Sequence, residues 1–284
     1  MACVAWRGGA VCALNLLGLN QVFDLAIGAS AGAPIAAYFL AGTEQSYLGT
    51  SIFYDELRER KFINPYNVKE VANIEHLRNT FDHGDKKLNT EAMLKNRTPL
   101  YIALTDYVDG ATDLFNTKEY PTFIVTMLAI SSAIPVLYRR KMIFNGRQYL
   151  DGMVAFSVRR TLASPLIKEL NPTDILLITN FEEGMIRDTK TKSVERFAQY
   201  FSHHFERLLL GRIKLQDDLS YLASLSGPRI GVITGADTHG SVGQLITNDK
   251  KLWELGDLTL QQTLQRFGRS DLYRPLNTPA KRIK

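Results

Sequence analysis

Five small residues, Gly28-Ala-Ser-Ala-Gly32, separate two apolar runs in the first part of the chain. The run before them, residues 22–27, is predicted to be a buried strand, and the run after them, residues 34–40, is predicted to be a helix. The alternative of a membrane span is disfavoured, because Asp24 and the glycines interrupt the apolar sequence. We therefore interpret the segment as a strand, a tight turn and a helix, which is a unit of α/β folds.

Three later apolar runs are predicted to be further buried strands, at residues 100–105, 174–179 and 229–234. After Ser193, apolar residues recur at spacings of three and four, which predicts an amphipathic helix. Strands that alternate with helical stretches predict an α/β fold with a largely parallel central sheet and helices on both faces. No linker divides the chain, so we predict one domain over residues 1–273 and a basic, flexible tail over residues 274–284.

The composition is that of an ordinary globular protein, with 45% hydrophobic and 22% charged residues, and it excludes a disordered or fibrous chain. The net charge of +5 is modest, so we predict no nucleic-acid partner. Cys3 and Cys12 have no metal-ligand spacing and lie among small apolar residues. This pattern indicates reduced thiols and a cytoplasmic location. Separately, we expect any membrane contact to be peripheral. The sequence predicts no metal site and no cofactor.

The pattern Gly-x-Ser-x-Gly places Ser30 in the turn between the predicted strand and the predicted helix. Such a turn exposes the serine hydroxyl, while Gly28 and Gly32 leave room for the strand and the helix to approach each other. Free N–H groups at the start of the helix favour negative charge beside the hydroxyl. We predict that Ser30 is a nucleophile, and the alternative is a serine that only caps the helix.

A nucleophilic serine needs a base. The chain has five histidines, which are His76, His83, His203, His204 and His239. They lie in polar or exposed contexts that are typical of surface residues. Asp151 follows a short strand-like run and directly precedes Gly152, which makes it the better candidate. The alternative for Asp151 is an Asp-Gly turn, which occurs in any fold.

Several segments together resemble the patatin-like phospholipases, namely residues 23–32, 104–106, 131–135, 145–152, 174–179 and 247–253. The resemblance implies a patatin-like three-layer α/β fold and hydrolysis of a fatty acyl ester of a phospholipid or a related lipid. It also implies a dyad in which Ser30 attacks the ester and Asp151 acts as the base, without histidine. An acyl-Ser30 intermediate would form, and neither a metal nor a cofactor would take part.

An aspartate base has a consequence for the pH dependence of the reaction. The ordinary pKa of aspartate is about 3.9, whereas an unperturbed histidine titrates near about 6.5. A dyad with Asp151 therefore predicts activity that does not fall as the pH drops through the histidine range, unless the pKa of Asp151 is strongly raised.

One part of the sequence departs from the family pattern. In the family, a glycine-rich loop after the first strand supplies the donors of the oxyanion hole. Here Arg7 and Gly8 match the end of that loop, but residues 3–5 replace its glycines with residues that carry a Cβ. We predict that Gly8 and Gly9, with the N–H of Ala31, form the hole, and we expect weakened activity because a Cβ disfavours positive φ.

Two other interpretations fit this departure: a start of the protein upstream of Met1, and a weakened or inactive relative that binds lipid or a partner. A soluble esterase or thioesterase is a further alternative for the function. Arg139 and Arg140 lie shortly before Asp151 and are predicted to contact a lipid head group. A solvated charged face is the alternative for this arginine pair, and it is the more frequent role of such residues.

Overall fold

The structure is a computed structural model that describes residues 2–56, 61–62, 64, 66–67, 70–135, 137–138, 140–154, 169–179, 224–233 and 249–277. Within these residues the helices are α1 Ala2–Leu16, α2 Gly32–Leu40, α3 Thr43–Asp55, α4 Ile74–Asp82, α5 Thr90–Lys95, α6 Ile124–Ser131 and α7 Asp249–Arg266. The strands are β1 Ala26–Ala29, β2 Leu100–Asp106, β3 Thr112–Asn116, β4 Met142–Phe144, β5 Arg147–Asp151, β6 Asp174–Ile178 and β7 Arg229–Ile233. The helix predicted after Ser193 lies outside the described residues.

The α/β fold class is confirmed. The strands predicted from apolar runs pair in parallel, β1 with β2 and β6 with β7. Antiparallel pairs come from the other strands, because β3 and β5 both pair with β2 and β4 pairs with β5. The first strand starts later than predicted. Residues Leu19–Gln21 form a 3-10 turn, and parallel pairing begins only where Ala26 lies opposite Leu100.

Strand β2 holds two other strands along one edge. β1 pairs with its first part, where Ala29 lies opposite Ala103, and β5 pairs with its last part, where Asp151 lies opposite Leu104. β3 pairs with residues 101–105 of β2, so it overlaps both partners and must occupy the other edge. β1 and β5 therefore lie end to end, and the antiparallel direction of β5 brings the carboxyl ends of both strands together.

The core has a main cluster around the sheet and a second cluster among three helices. In the main cluster, α2 and α6 bury their apolar faces against β2, with Ile102 and Leu128 fully buried. In the second cluster, α1 packs against α3 and α7, and the rings of Tyr54 and Trp253 stack with centroids 4.0 Å apart. Cys12 is buried there as a free thiol, and this burial raises its pKa to about 12.

The predicted tail is packed at its start. The Tyr47 hydroxyl donates to the carbonyl oxygen of Arg274 at 2.9 Å, and the Leu276 N–H donates to Asp257 at 2.7 Å. Leu276 is only 3% exposed, in the second cluster. Residues 274–277 therefore belong to the folded part, because Leu276 is an apolar anchor, and residues 278–284 lie outside the described residues. Among the described helices, none combines the length and the apolar character that crossing a membrane requires.

The contact between α1 and α7 yields the first prediction. A Cβ on Gly9 would lie 2.0 Å from the main-chain oxygen of Gly256, so Gly9→Ala must push the two helices apart. We expect Gly9→Ala to lower the free energy of unfolding by about 1–3 kcal/mol, measured by urea denaturation. Gly227→Ala is the matched control, because a Cβ at Gly227 meets nothing within 4 Å. Equal stability of the two variants would contradict the close packing of α1 on α7.

Candidate active site

Ser30 stands at the turn between β1 and α2 in a backbone conformation that serine rarely adopts. Its φ is 52°, in the left-handed region. Such a conformation costs on the order of 1–3 kcal/mol and persists only where the surroundings hold it. The turn reverses the chain so that the Ala33 N–H donates to the carbonyl oxygen of Ser30 at 3.0 Å, at the start of α2. The hydroxyl therefore lies beside the first turn of this helix, as the Gly-x-Ser-x-Gly pattern predicts.

Gly28 allows the close approach of the strand and the helix around this turn. A Cβ at Gly28 would lie 2.5 Å from the Cα of Ala33, a distance that main-chain atoms cannot accept. Gly32 has more room, since its Cβ would lie 3.4 Å from the Nη1 atom of Arg7. This distance places the guanidinium of Arg7, on α1, next to the first residue of α2. The site thus has a cation near the amino end of the helix that follows Ser30.

Asp151, the last residue of β5, is 1% exposed and lies next to the serine. The Ser30 hydroxyl donates to its Oδ2 atom at 2.7 Å, and the Met153 N–H donates to its Oδ1 atom at 2.8 Å. Burial raises the pKa of Asp151 from 3.8 to about 7, although the hydrogen bonds from Ser30 and Met153 oppose this rise. A carboxylate with a pKa near neutrality is better suited than an ordinary aspartate to accept a proton from a hydroxyl.

Gly152 and Ser131 fix the main chain around the pair. A Cβ at Gly152 would lie 2.1 Å from the carbonyl oxygen of Ala103, so the turn after β5 presses directly on β2. The Ser131 hydroxyl accepts a hydrogen bond from the Ser30 N–H at 2.9 Å and donates to that same oxygen of Ala103 at 2.8 Å. In the sequence, Ser131 is only one residue of the segment 131–135 that resembles the family. A polar residue at the end of an apolar helical run is the signal that could have singled it out.

The amino-terminal segment differs from the predicted glycine-rich loop. Residues 2–16 form α1, and both Gly8 and Gly9 lie inside this helix. Gly8 packs against Thr50 of α3 and Gly9 against Gly256 of α7. The assignment of Gly8 and Gly9 as oxyanion donors is corrected here, because N–H groups inside a helix donate to carbonyl oxygens four residues earlier.

The remaining donors lie at the amino end of α2. The first N–H groups of a helix have no partner within the helix, and no described side chain caps this end. Ala31 is the residue before the helix and Gly32 is its first residue, so their N–H groups lie directly after Ser30. Of the three predicted oxyanion residues, Ala31 alone keeps a position beside the nucleophile.

Of the other residues singled out by sequence, Arg140, His76 and His83 are described, and their contacts lie away from Ser30 and Asp151. The Arg140 side chain is 71% exposed and forms an ion pair with Glu70, while Arg139 lies outside the described residues. His76 contacts the main-chain oxygen of Glu56 at 3.0 Å, and His83 is exposed. His203, His204 and His239 lie outside the described residues. Among the residues that the structure describes, no cluster of side chains could hold a metal ion.

Comparison with known protein families places the site in context. A family model described as Patatin-like phospholipase matches residues 2–161, which is more than half of the chain. Ser30, Ser131 and Asp151 all lie within the matched region. No curated protein matches the chain.

Burial of Asp151 predicts a pH-dependent change in stability. The pKa of Asp151 in the folded protein, about 7, lies above its ordinary value of 3.8, so between these values the unfolded chain binds fewer protons. Stability from this group is therefore lost as the pH rises. Asp151→Asn removes the buried charge and keeps two hydrogen bonds, since its oxygen can accept from the Met153 N–H and its amide can donate to Ser30.

We expect the advantage of Asp151→Asn over the unmodified protein in free energy of unfolding to be larger near about pH 8 than near about pH 5, by a few kcal/mol. Urea denaturation at both pH values measures the difference. Asp24→Asn, at an exposed position, controls for the loss of a carboxylate. If the difference between Asp151→Asn and the unmodified protein is the same at both pH values, the carboxyl group is not desolvated as described.

Proposed function

The chain belongs to the patatin-like phospholipase family, and on this premise we propose that it cleaves a fatty acyl ester through a dyad of Ser30 and Asp151. The family is one of lipid acyl hydrolases, so a phospholipid or a related lipid ester is the proposed substrate. The observation that carries the proposal is the hydrogen bond of 2.7 Å from the Ser30 hydroxyl to the buried Asp151 carboxylate. Neither a metal nor a cofactor is part of the proposed reaction.

In the proposed acylation step, the Ser30 oxygen attacks the ester carbonyl while its proton passes to Oδ2 of Asp151. The raised pKa of Asp151, about 7, supports this role, because proton transfer to an ordinary aspartate would be strongly uphill. The tetrahedral intermediate then collapses, and the alcohol leaves with the proton held by Asp151. The acyl group remains on Ser30 as an ester.

The negative oxygen of the tetrahedral intermediate needs donors. The N–H groups of Ala31 and Gly32 at the amino end of α2 are the proposed donors, supported by the partial positive charge of the helix end. Arg7, next to Gly32, adds a full positive charge to this region. In the deacylation step, Asp151 takes a proton from water, which attacks the acyl ester; the bond to the Ser30 oxygen then breaks, the fatty acid is released, and Asp151 returns the proton to Ser30.

A weakened or inactive lipid-binding relative is the second candidate, and a specific observation favours it. The residues that the family uses as a donor loop lie within α1, so the site has fewer main-chain donors than the family pattern implies. Turnover of short p-nitrophenyl esters and of phospholipid vesicles separates the possibilities. Activity on vesicles supports the lipid hydrolase, activity on short esters alone supports a soluble esterase, and vesicle binding without turnover supports the inactive relative.

The nucleophile and the base are tested by substitution. We expect Ser30→Ala to abolish both ester turnover and labelling by a fluorophosphonate probe, and peptide mapping should find the label of the unmodified protein on Ser30. Asp151→Asn should lower kcat by several orders of magnitude, nearly as far as Ser30→Ala, because the two residues act as a unit. Glutamine at His203, His204 or His239 should change kcat by no more than a few-fold. An inactive histidine variant beside an active Asp151→Asn would point to a Ser-His triad.

The pH profile follows from the protonation of Asp151. Its raised pKa replaces the expectation of activity that persists at low pH, because a protonated carboxyl group cannot accept the serine proton. We expect kcat/KM for a soluble ester to rise tenfold per pH unit below about pH 7 and to level off above it. The acid limb should keep its position in the histidine variants. A limb that moves in one of them would assign the titration to that histidine instead.

A further inference from the structure

We propose that Ser131 is a positioning residue that holds the nucleophile in its reactive conformation relative to the base, and this proposal rests on the hydrolase function above. Ser131 is the last residue of α6, and it is fully buried. Both hydrogen bonds of its hydroxyl end on main-chain atoms, the Ser30 N–H and the carbonyl oxygen of Ala103. Ser131 therefore acts through Ser30 and does not itself react.

The same end of α6 holds the base. The carbonyl oxygen of Ser131 accepts from the Gly152 N–H at 3.3 Å, and the carbonyl oxygen of Ala133 accepts from the Asp151 N–H at 3.3 Å. The side chain of Ser131 thus fixes the turn after β1, while neighbouring carbonyl oxygens fix the end of β5. One short segment sets the separation between the nucleophile and the base.

The left-handed conformation of Ser30 explains why its hydrogen bond to Ser131 matters. A serine with a φ of 52° returns to more favourable backbone angles unless its surroundings prevent it. The hydrogen bond to Ser131 anchors the N–H of this residue to β2 through Ala103. Without the hydroxyl, the Ser30 N–H and the buried carbonyl oxygen of Ala103 each lose a partner and the turn relaxes, which moves the Ser30 oxygen away from Asp151. The bond also occupies the Ser30 N–H, so the oxyanion is left to the N–H groups of Ala31 and Gly32.

The test compares Ser131→Ala with Ser132→Ala. Ser132 is the matched control because its hydroxyl donates to Leu128 within the turn of its own helix, at 3.0 Å. Turnover of a soluble p-nitrophenyl ester, the rate of fluorophosphonate labelling and thermal unfolding are measured for both variants. Hydrogen–deuterium exchange at the Ser30 amide gives a readout that is independent of turnover. Ser131→Cys, with a weaker donor and acceptor of similar size, shows whether the hydrogen bonds matter if the alanine variant folds poorly.

We expect Ser131→Ala to lower kcat and the labelling rate by about 10- to 100-fold, which is the scale of a misplaced reacting group, with KM unchanged. Ser131→Cys should fall between alanine and serine. The Ser30 amide should exchange faster in Ser131→Ala and keep its protection in Ser132→Ala, whose rates should stay within about twofold of those of the unmodified protein.

Two outcomes overturn the proposal in different ways. If Ser30 is labelled but Ser131→Ala reacts as fast as Ser132→Ala, or its Ser30 amide stays protected, the positioning role fails while the hydrolase function stands. If the probe labels a residue other than Ser30, the proposed function fails, and the positioning role fails with it.

Discussion

The meeting of two strands along one edge of β2 is the constraint from which the site follows. β1 ends opposite Ala103 and β5 ends opposite Leu104, so Ser30, which follows β1, and Asp151, the last residue of β5, share a small space beside β2. Ser30 and Asp151 lie 121 positions apart in sequence, and this arrangement brings them to a hydrogen bond of 2.7 Å. There is no room for a larger residue at position 152, because a Cβ on Gly152 would overlap the carbonyl oxygen of Ala103. The contact between Ser30 and Asp151 therefore depends on small residues where the two strands meet.

Two features of this site oppose folding. A carboxyl group that is buried enough to reach a pKa of about 7 destabilises the folded chain when it ionises, and a left-handed serine adds backbone strain. Functional sites commonly retain such features when the surrounding core offsets them. Here the offset comes from α2 and α6, whose apolar residues are buried in the core next to β2. Removing the charge at Asp151 should therefore both abolish the proposed reaction and raise the free energy of unfolding.

The sequence predicted the parts of the site that depend on local patterns. A glycine-flanked serine between an apolar strand and a helix is visible in a few residues, and Asp151 followed by Gly152 is similarly compact. Long-range register is not visible in this way, so the antiparallel pairing of β5 with β2 and the contact of Ser131 with Ser30 needed the structure. The glycine-rich loop was expected from resemblance alone. Residues 2–5, which include two alanines, instead continue the helix that the apolar residues of α1 stabilise by packing on α3 and α7.

Because residues 2–16 form a helix, the activity of the proposed site depends on its oxyanion donors more than on the contact between Ser30 and Asp151. A missing main-chain donor typically reduces kcat by about 10²–10³, whereas a dyad that is intact still forms the acyl enzyme with a reactive ester. The amino end of α2 offers two N–H groups after Ser30, and the guanidinium of Arg7 lies against Gly32. A guanidinium stabilises negative charge without the fixed geometry of a main-chain donor, since its long side chain must be held by packing. On the proposed function, the balance between these donors, and not the distance between Ser30 and Asp151, therefore decides whether the chain hydrolyses lipid rapidly, slowly or not at all.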